Sequence, residues 1–181
     1  MAKLTLFHGT AHDFEGFDRR YALRGSEPNS ALGIHLTERP YVAADYAELA
    51  ARDRHAGEPR VLVVEVDICR AALVDSVEEF LGRPHDMPLD PEGTRTREEF
   101  VAARHELEAL GFEAVALDTA MEDLVGTWVV FDPEKVRIVG RLTVDEAIEL
   151  EESGHETDWS GVDLVSRTIF GNESFSPRRL T

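Results

Sequence analysis

Three short blocks of this sequence combine polar side chains with glycine in a way that suits a small polar ligand. In the first block, a short apolar strand ends on His8, Gly9 and Thr10. This ending offers a ligand a side-chain donor, a bare backbone for close approach and a second polar group. The second block covers residues 33–37 and the third covers residues 126–133. We therefore treat the three blocks together as the candidate ligand site.

Hydrophobic periodicity predicts the strands and helices that must position these blocks. Short apolar or alternating runs predict strands at 3–7, 33–37, 60–67, 113–117, 127–131 and 136–139. Helical spacing predicts helices at 39–54, 96–110 and 143–153, the last of them opened by a capping box. The stretches at 11–31 and 74–95 are predicted loops, with one helical turn at 77–81. Loops of this length in compact domains are usually functional.

The chain is strongly acidic, with 36 Asp and Glu against 19 Lys and Arg and a formal net charge of −17. Because nonspecific nucleic-acid binding depends on basic contacts to phosphates, direct nucleic-acid binding is disfavoured. Residues 145–158 hold seven acidic side chains and no Lys or Arg. This segment is either a solvated acidic face or a docking surface for a basic protein partner.

Length, cysteine content and hydropathy place the chain in a broad class. At 181 residues it is long enough for one domain with a real core. Cys69 alone excludes an internal disulfide. No stretch approaches the ~20 apolar residues of a membrane span, and the first residues do not resemble a signal peptide. We therefore expect a cytoplasmic protein with no membrane association.

The three blocks, in this order, resemble the ADP-ribosyltransferase superfamily, the NAD-splitting fold shared by bacterial toxins and poly(ADP-ribose) polymerases. The matching segments are His8-Gly9-Thr10, Gly33-Ile34-His35-Leu36-Thr37 with Ala43-Ala44-Asp45-Tyr46-Ala47, and Gly126-Thr127-Trp128-Val129-Val130-Phe131-Asp132-Pro133. The resemblance implies an α+β domain in which two small, mainly antiparallel sheets face each other around an NAD cleft, with helices outside. Residues 1–142 would form this domain, and the acidic helix and tail at 143–181 would pack on it.

The resemblance also implies that NAD is a substrate, and it suggests roles for the first block. His8 is implied to hydrogen-bond a ribose hydroxyl of NAD, which makes it a candidate catalytic residue. The backbone of Gly9 is implied to pair with the nicotinamide amide. A core histidine that caps the strand is the alternative for His8. Thr10, Gly33 and Thr37 complete the implied NAD-binding set.

In the second block, His35 stands where many relatives carry a tyrosine that stacks on nicotinamide. Because a protonated imidazole would be repelled by the cationic ring, we expect His35 to be neutral. Tyr46 matches an aromatic position of the family that lines the same pocket or packs beneath it. The RNA 2′-phosphotransferases are relatives with histidine at this second place. However, they need basic residues for the phosphate, and the acidic charge balance opposes that assignment.

The third block lacks the glutamate that many relatives carry, because Thr127 occupies its place and cannot supply charge. A carboxylate in the preceding loop is the replacement that some divergent members of the superfamily imply. Glu122 is the favoured candidate and Asp123 the second, and a site with neither of them is the remaining option. Such a carboxylate would stabilise the ribose cation or act as a base toward the acceptor.

These features favour a mono-ADP-ribosyltransferase that moves ADP-ribose from NAD to a protein or small-molecule acceptor. An NAD glycohydrolase, in which water is the acceptor, is a close variant. The alternative from another class is a catalytically inactive domain of this fold that acts as a binding module through its acidic surface. We expect no metal, because His8 and His12 would need a helix across Gly9 to form a ligand pair.

Overall fold

The computed structural model describes residues 2–18, 27–54, 57–83, 94–118 and 126–171, and these ranges contain eight strands and four α-helices. The strands are β1 (Ala2–Thr10), β2 (Ile34–Thr37), β3 (Arg60–Ile68), β4 (Arg70–Val74), β5 (Ala114–Leu117), β6 (Thr127–Val130), β7 (Val136–Leu142) and β8 (Asp163–Ser166). The helices are α1 (Pro40–Arg54), α2 (Val77–Leu81), α3 (Arg97–Ala109) and α4 (Val144–Glu152). The predicted α+β class is confirmed. None of the helices in these ranges has the length and apolar character to cross a bilayer.

All eight strands belong to one mixed sheet, in the order β7-β3-β1-β2-β6-β5-β4-β8. Strand β4 pairs in parallel with β5 and β8, whereas the other neighbouring strands are antiparallel. The strand pairing therefore shows one continuous sheet where the family resemblance implies two. Two neighbouring strands of the sheet, β1 and β2, are joined by a single residue pair, Phe7 and Thr37.

The short connection from β3 to β4 forces this sheet to bend. One residue, Cys69, separates Ile68 at the end of β3 from Arg70 at the start of β4. These two ends therefore lie within about 7 Å of each other. In the sheet order the two strands stand five positions apart, which is about 24 Å across a flat sheet. The sheet must fold so that a three-strand part (β7, β3, β1) faces a five-strand part (β2, β6, β5, β4, β8).

The bend encloses an inner core to which both parts of the sheet contribute, with Leu6 from β1 and Trp128 from β6 among its buried members. Side chains alternate along a strand, so Phe7 lies on the outer face and packs with alanines of α1 and α4. Helices α2 and α3 cover the outer face of the five-strand part through Phe80 and Phe100. The helices therefore lie outside, and the inner face is sheet against sheet.

The predicted helices at 39–54, 96–110 and 143–153 are confirmed to within one residue at each end. Thr96 and Thr143 cap α3 and α4, each through a capping box with a glutamate three residues later. The predicted strands are also present, but β4 and β8 are not among the predictions. Both are short and pair in parallel at one end of the sheet, so neither shows the long alternation that identifies a strand.

Two glycines allow backbones to approach more closely than any side chain permits. A Cβ at Gly9 would lie 2.0 Å from the carbonyl oxygen of Ala43 and 2.7 Å from the backbone nitrogen of Ala47, both in α1. A Cβ at Gly33 would lie 2.3 Å from the carbonyl oxygen of Val130 in β6. Contact between backbones therefore requires glycine at both positions, whatever a ligand needs.

We expect Gly9→Ala to lower the free energy of unfolding by at least about 2 kcal/mol, because the added methyl group must displace α1 from β1. Gly16→Ala is the matched control, since nothing lies within 4 Å of a Cβ at Gly16. Its effect should stay within about 0.5 kcal/mol. Urea denaturation of the wild type and the two variants measures both effects. A Gly9→Ala protein as stable as the wild type would contradict the close approach.

Candidate functional site

His8 and His35 meet at the junction of β1 and β2, where the sheet bends. The Nδ1–H of His8 donates to the carbonyl oxygen of His35 at 2.9 Å. His8 follows Leu6 on the inner face of β1, and its ring meets those of Phe14 and Phe17 edge-on, with centroids 6.2 and 5.2 Å away. The structure therefore places a partly buried imidazole at the rim of the inner core.

His35 approaches the junction from the outer face of the sheet. Its Nε2–H donates to the carbonyl oxygen of Asn29 at 3.1 Å, and its ring centroid lies 5.7 Å from that of Phe80 in α2. Its partner across β6 is Val129, which belongs to the outer core beneath α2 and α3. The two histidines therefore flank the junction from opposite faces and are linked through the backbone of His35.

Both imidazoles are held in the neutral form at pH 7. Burial lowers the pKa of His35 to about 4, although the hydrogen bond to Asn29 opposes this shift. Burial also lowers the pKa of His8, against the hydrogen bond to His35. Each ring donates through one nitrogen to a carbonyl oxygen, which can only accept, so the other nitrogen of each ring carries a lone pair. The junction thus presents His8 Nε2 and His35 Nδ1 as acceptors for hydroxyl or amide donors, and the neutral His35 agrees with the sequence-based expectation.

The segment that follows β1 forms an aromatic wall beside His8 and is tied to the three-strand part of the sheet. Asp13 pairs with Arg60 of β3 at 2.9 Å and with Arg141 of β7 at 2.8 Å. The guanidinium of Arg141 also donates to the carbonyl oxygen of Phe14 at 3.2 Å. Hydrogen bonding from Arg141 lowers the pKa of Asp13, so the clamp stays ionised well below neutral pH.

The two threonines of the predicted NAD-binding set are buried and hydrogen-bonded within the protein. Thr10 Oγ1 accepts from the backbone N–H of His12 at 3.1 Å and donates to the carbonyl oxygen of His12 at 3.2 Å. Thr37 Oγ1 accepts from the backbone N–H of Arg39 at 3.1 Å, just before α1 begins. These contacts shape the ends of β1 and β2, and a role of either threonine in ligand binding stays a prediction.

Tyr46 lies on α1 with 49% of its surface exposed. That exposure does not fit the interpretation in which Tyr46 packs in the core beneath the pocket. Its predicted contact with a ligand is not tested by the structure and stays a prediction.

The third block brings a hydroxyl group, not a carboxylate, to the five-strand side of the junction. Thr127 is buried, and it pairs with Thr37 of β2 on one side and Leu117 of β5 on the other. Glu122 and Asp123, the carboxylates favoured from the sequence, lie outside the described residues.

Sequence reasoning did not single out Glu38, which follows β2 directly. Its Oε1 accepts from the indole N–H of Trp128 at 2.6 Å, and its backbone N–H donates to the carbonyl oxygen of Gly126 at 2.9 Å. Burial raises the pKa of the Glu38 carboxyl, and the indole hydrogen bond partly counters this shift. The signal that the sequence offered was a carboxylate directly after Thr37, at the end of a strand in the second block.

Glu38 also borders a cleft of ≈ 330 Å³. The lining residues come from the end of β2 and from α4 and the segment after it: Glu38, Arg39, Glu151, His155, Glu156, Thr157 and Trp159. Arg39 and Glu151 form an ion pair across it at 2.9 Å. The cleft is therefore polar, with more acidic than basic groups. In the part of the chain that is described, no group of three His, Cys, Asp or Glu side chains has an arrangement that could hold a metal ion.

Comparisons with known proteins give one informative likeness, which concerns the fold. No protein-family model matches the sequence, and a search of curated proteins also gives no match. The structure is similar to a chain in the crystal structure of the M. tuberculosis MbcT–MbcA toxin–antitoxin complex, with a TM-score of 0.52 and 16% sequence identity. The superposition covers 83% of this chain and 90% of that chain. At this identity the likeness establishes a shared fold.

We expect the stability of the protein to fall as the pH is lowered from about 6.5 toward 4. The reason is that the pKa of His35 in the folded protein is about 4, below its ordinary value of 6.5. A histidine with a depressed pKa stabilises the fold above its unfolded pKa, and that stability is lost as the pH falls through the folded pKa. The loss attributable to His35 at pH 4.5 is of the order of 2 kcal/mol.

Thermal denaturation of the wild type and of His35→Gln at pH 7.0 and pH 4.5 measures this loss. The melting temperature of the glutamine variant should fall less between pH 7.0 and pH 4.5 than that of the wild type. The reason is that the substitution removes a group that gains a proton on unfolding. His12→Gln, a change at an exposed histidine, is the control and should behave as the wild type does. Equal acid sensitivity of all three proteins would contradict a buried neutral His35.

Proposed function

We propose that this protein is an NAD-dependent mono-ADP-ribosyltransferase that cleaves the bond between nicotinamide and ribose. The observation that carries the proposal is the contact between His8 and His35 at the bend of the sheet. These residues come from the first two family-like blocks, 27 positions apart in the chain. Both are neutral acceptors, and neutral acceptors suit a substrate that offers hydroxyl and amide donors beside a cationic ring.

The chemistry asks the protein mainly to hold the substrate and to stabilise positive charge. As nicotinamide leaves, the ribose approaches an oxocarbenium ion. In this proposal His8 Nε2 accepts from a ribose hydroxyl, and the backbone of Gly9 pairs with the nicotinamide amide. His35 lies on the opposite face of the sheet from His8, and its contact with the nicotinamide ring stays a prediction. Thr10, Gly33, Thr37 and Tyr46 remain proposed contacts of the same ligand, and no metal takes part.

Two further features support this reading of the fold. The bend of the sheet turns its two parts toward each other, which is the kind of arrangement that the family resemblance implies around an NAD cleft. The junction of β1 and β2 also places the first two blocks side by side. From the sequence alone, Glu122 and then Asp123 are the proposed carboxylates of the third block.

The proposal includes a toxin-like role in the cytoplasm with a protein partner. The structural neighbour comes from a toxin–antitoxin complex, and a toxin of that kind requires a partner that restrains it. The acidic segment at 145–158 offers a surface for this purpose, because Asp145, Glu149 and Glu152 on α4 are exposed. A basic protein segment is the partner that such a surface fits.

A binding module without turnover is the second candidate function, and Thr127 is the observation that favours it. A buried threonine in the position of the family glutamate removes the charge that many relatives use. In that case the acidic surface, and not the junction, would carry the function. An NAD glycohydrolase shares the proposed cleavage step and differs in its acceptor.

The test is nicotinamide release from NAD by the purified protein, with and without a bacterial cell extract. We expect His8→Ala to reduce the rate at least about tenfold, which is about 1.4 kcal/mol of barrier. His12→Ala is the matched control, because His12 is an exposed histidine on the same segment, and its rate should equal that of the wild type.

The dependence on extract separates the related activities. Release only in the presence of extract indicates a transferase with a cellular acceptor, and equal release without it indicates a glycohydrolase. No release under either condition would overturn the catalytic proposal and leave the binding module. A His8→Ala protein as active as the wild type would show that the site assignment is wrong.

A further inference from the structure

We propose that Glu38 supplies the carboxylate that Thr127 cannot, acting on the ribose cation and on the acceptor. This inference rests on the proposed cleavage of NAD and assigns to it a residue outside the three blocks as the sequence defines them. It takes the place of Glu122 and Asp123 as the catalytic carboxylate. The position, orientation, accessibility and charge of Glu38 support this role.

The position of Glu38 is next to the residue whose charge is missing. Thr127 pairs with Thr37 across β2 and β6, so the residues that follow in register are Glu38 and Gly126. A Cβ at Gly126 would lie 3.1 Å from the Cβ of Glu38. Glu38 therefore fills the space beside the third block from the neighbouring strand. A carboxylate at the end of β2 can therefore reach the region that a carboxylate at the start of β6 would reach.

The orientation of the side chain is set by a strong hydrogen bond on the inner side of the sheet. Trp128 is 2% exposed and belongs to the inner core, and its indole N–H donates to Glu38 Oε1 at 2.6 Å. His8 lies on the same inner face, next to Leu6. Glu38 and His8 therefore border the same inner core, each from one part of the bent sheet. In this proposal, a substrate held at the junction has His8 on one side and Glu38 on the other.

The second carboxylate oxygen of Glu38 is available to a ligand. Among the described residues, no donor contacts Glu38 Oε2, whereas Oε1 is occupied by the indole. Glu38 also lines the ≈ 330 Å³ cleft, through which an acceptor can approach. A carboxylate that is fixed through one oxygen and open through the other is arranged for proton transfer.

Partial burial gives this carboxylate a proton affinity suited to a base. Burial raises the pKa of Glu38, and the bond from Trp128 keeps this rise in check. A carboxylate with a raised pKa is a stronger base than an exposed one. The same low-polarity surroundings strengthen its attraction for a nearby cation.

The bond between the ribose C1′ and the nicotinamide nitrogen breaks, and nicotinamide leaves with both electrons as a neutral molecule. The resulting cation is stabilised by the negative charge of Glu38. An O–H or N–H acceptor then attacks C1′ with a lone pair, and Glu38 Oε2 takes the proton that the acceptor loses. Transfer of that proton to water restores the carboxylate.

The test compares Glu38→Gln with Glu48→Gln in the nicotinamide-release assay with and without extract. Glutamine keeps an oxygen that accepts from the Trp128 indole but carries no charge, so the fold should persist. We expect Glu38→Gln to reduce release at least about 100-fold, while NAD binding measured by calorimetry stays within about threefold of the wild type. Glu48 is an exposed glutamate on α1, and its variant should match the wild type in both measurements.

A pH profile separates a chemical role of Glu38 from a structural one. Trp128→Phe removes the indole donor, which raises the pKa of Glu38 further and should shift the acidic limb of the rate profile to higher pH. The other titratable groups that line the same cleft are Arg39, Glu151, His155 and Glu156. Because none of them accepts from the indole, a shift of the limb identifies Glu38.

The outcomes distinguish this inference from the proposed function. A wild type that releases no nicotinamide overturns both. An active wild type with an equally active Glu38→Gln protein overturns the role of Glu38 alone and returns Glu122 and Asp123 to first place. An unchanged acidic limb in Trp128→Phe also overturns the role of Glu38. This measurement does not use Glu38→Gln, so it remains decisive if that variant fails to fold.

Discussion

One residue of connection between β3 and β4 determines the shape of this protein. The strands that it joins stand five positions apart in the sheet, and a chain of that length cannot span a flat sheet. The bend that results brings the inner faces of both sheet parts onto one core and leaves the α-helices of the described residues outside. It also opens the sheet where β1 meets β2 through one pair of residues. The candidate site lies at this opening.

The glycine, threonine and histidine residues at this opening all make contacts that hold the fold together. Gly9 allows α1 to lie against β1, and the hydroxyl groups of Thr10 and Thr37 close short turns of backbone. His8 and His35 each use one ring nitrogen for a backbone carbonyl, which fixes the ring and leaves a lone pair on the other nitrogen. At the candidate site, the hydrogen bonds that these side chains make within the protein determine which of their atoms can still accept a hydrogen bond.

The sequence allowed the helices and most strands to be predicted, because these depend on local spacing and on capping residues such as Thr143. It did not allow β4 and β8 to be predicted, since their parallel pairing depends on strands distant in the chain. The single bent sheet also follows from strand order, which local periodicity does not encode. Glu38 was missed for a related reason: the contacts that single it out are made with Trp128 and Gly126, which are 90 and 88 positions away. The roles of Glu122 and Asp123 stay predictions.

The close approach of backbones at Gly9 has a consequence for how this fold changes over evolutionary time. Since the contact between β1 and α1 excludes any side chain at this position, selection for folding alone keeps the glycine. A descendant that lost its chemistry would therefore retain Gly9 and Gly33 while its histidines drifted. In a comparison of distant relatives, the glycines of these blocks would therefore trace common ancestry, and the histidines and carboxylates beside them would show whether the proposed chemistry is retained.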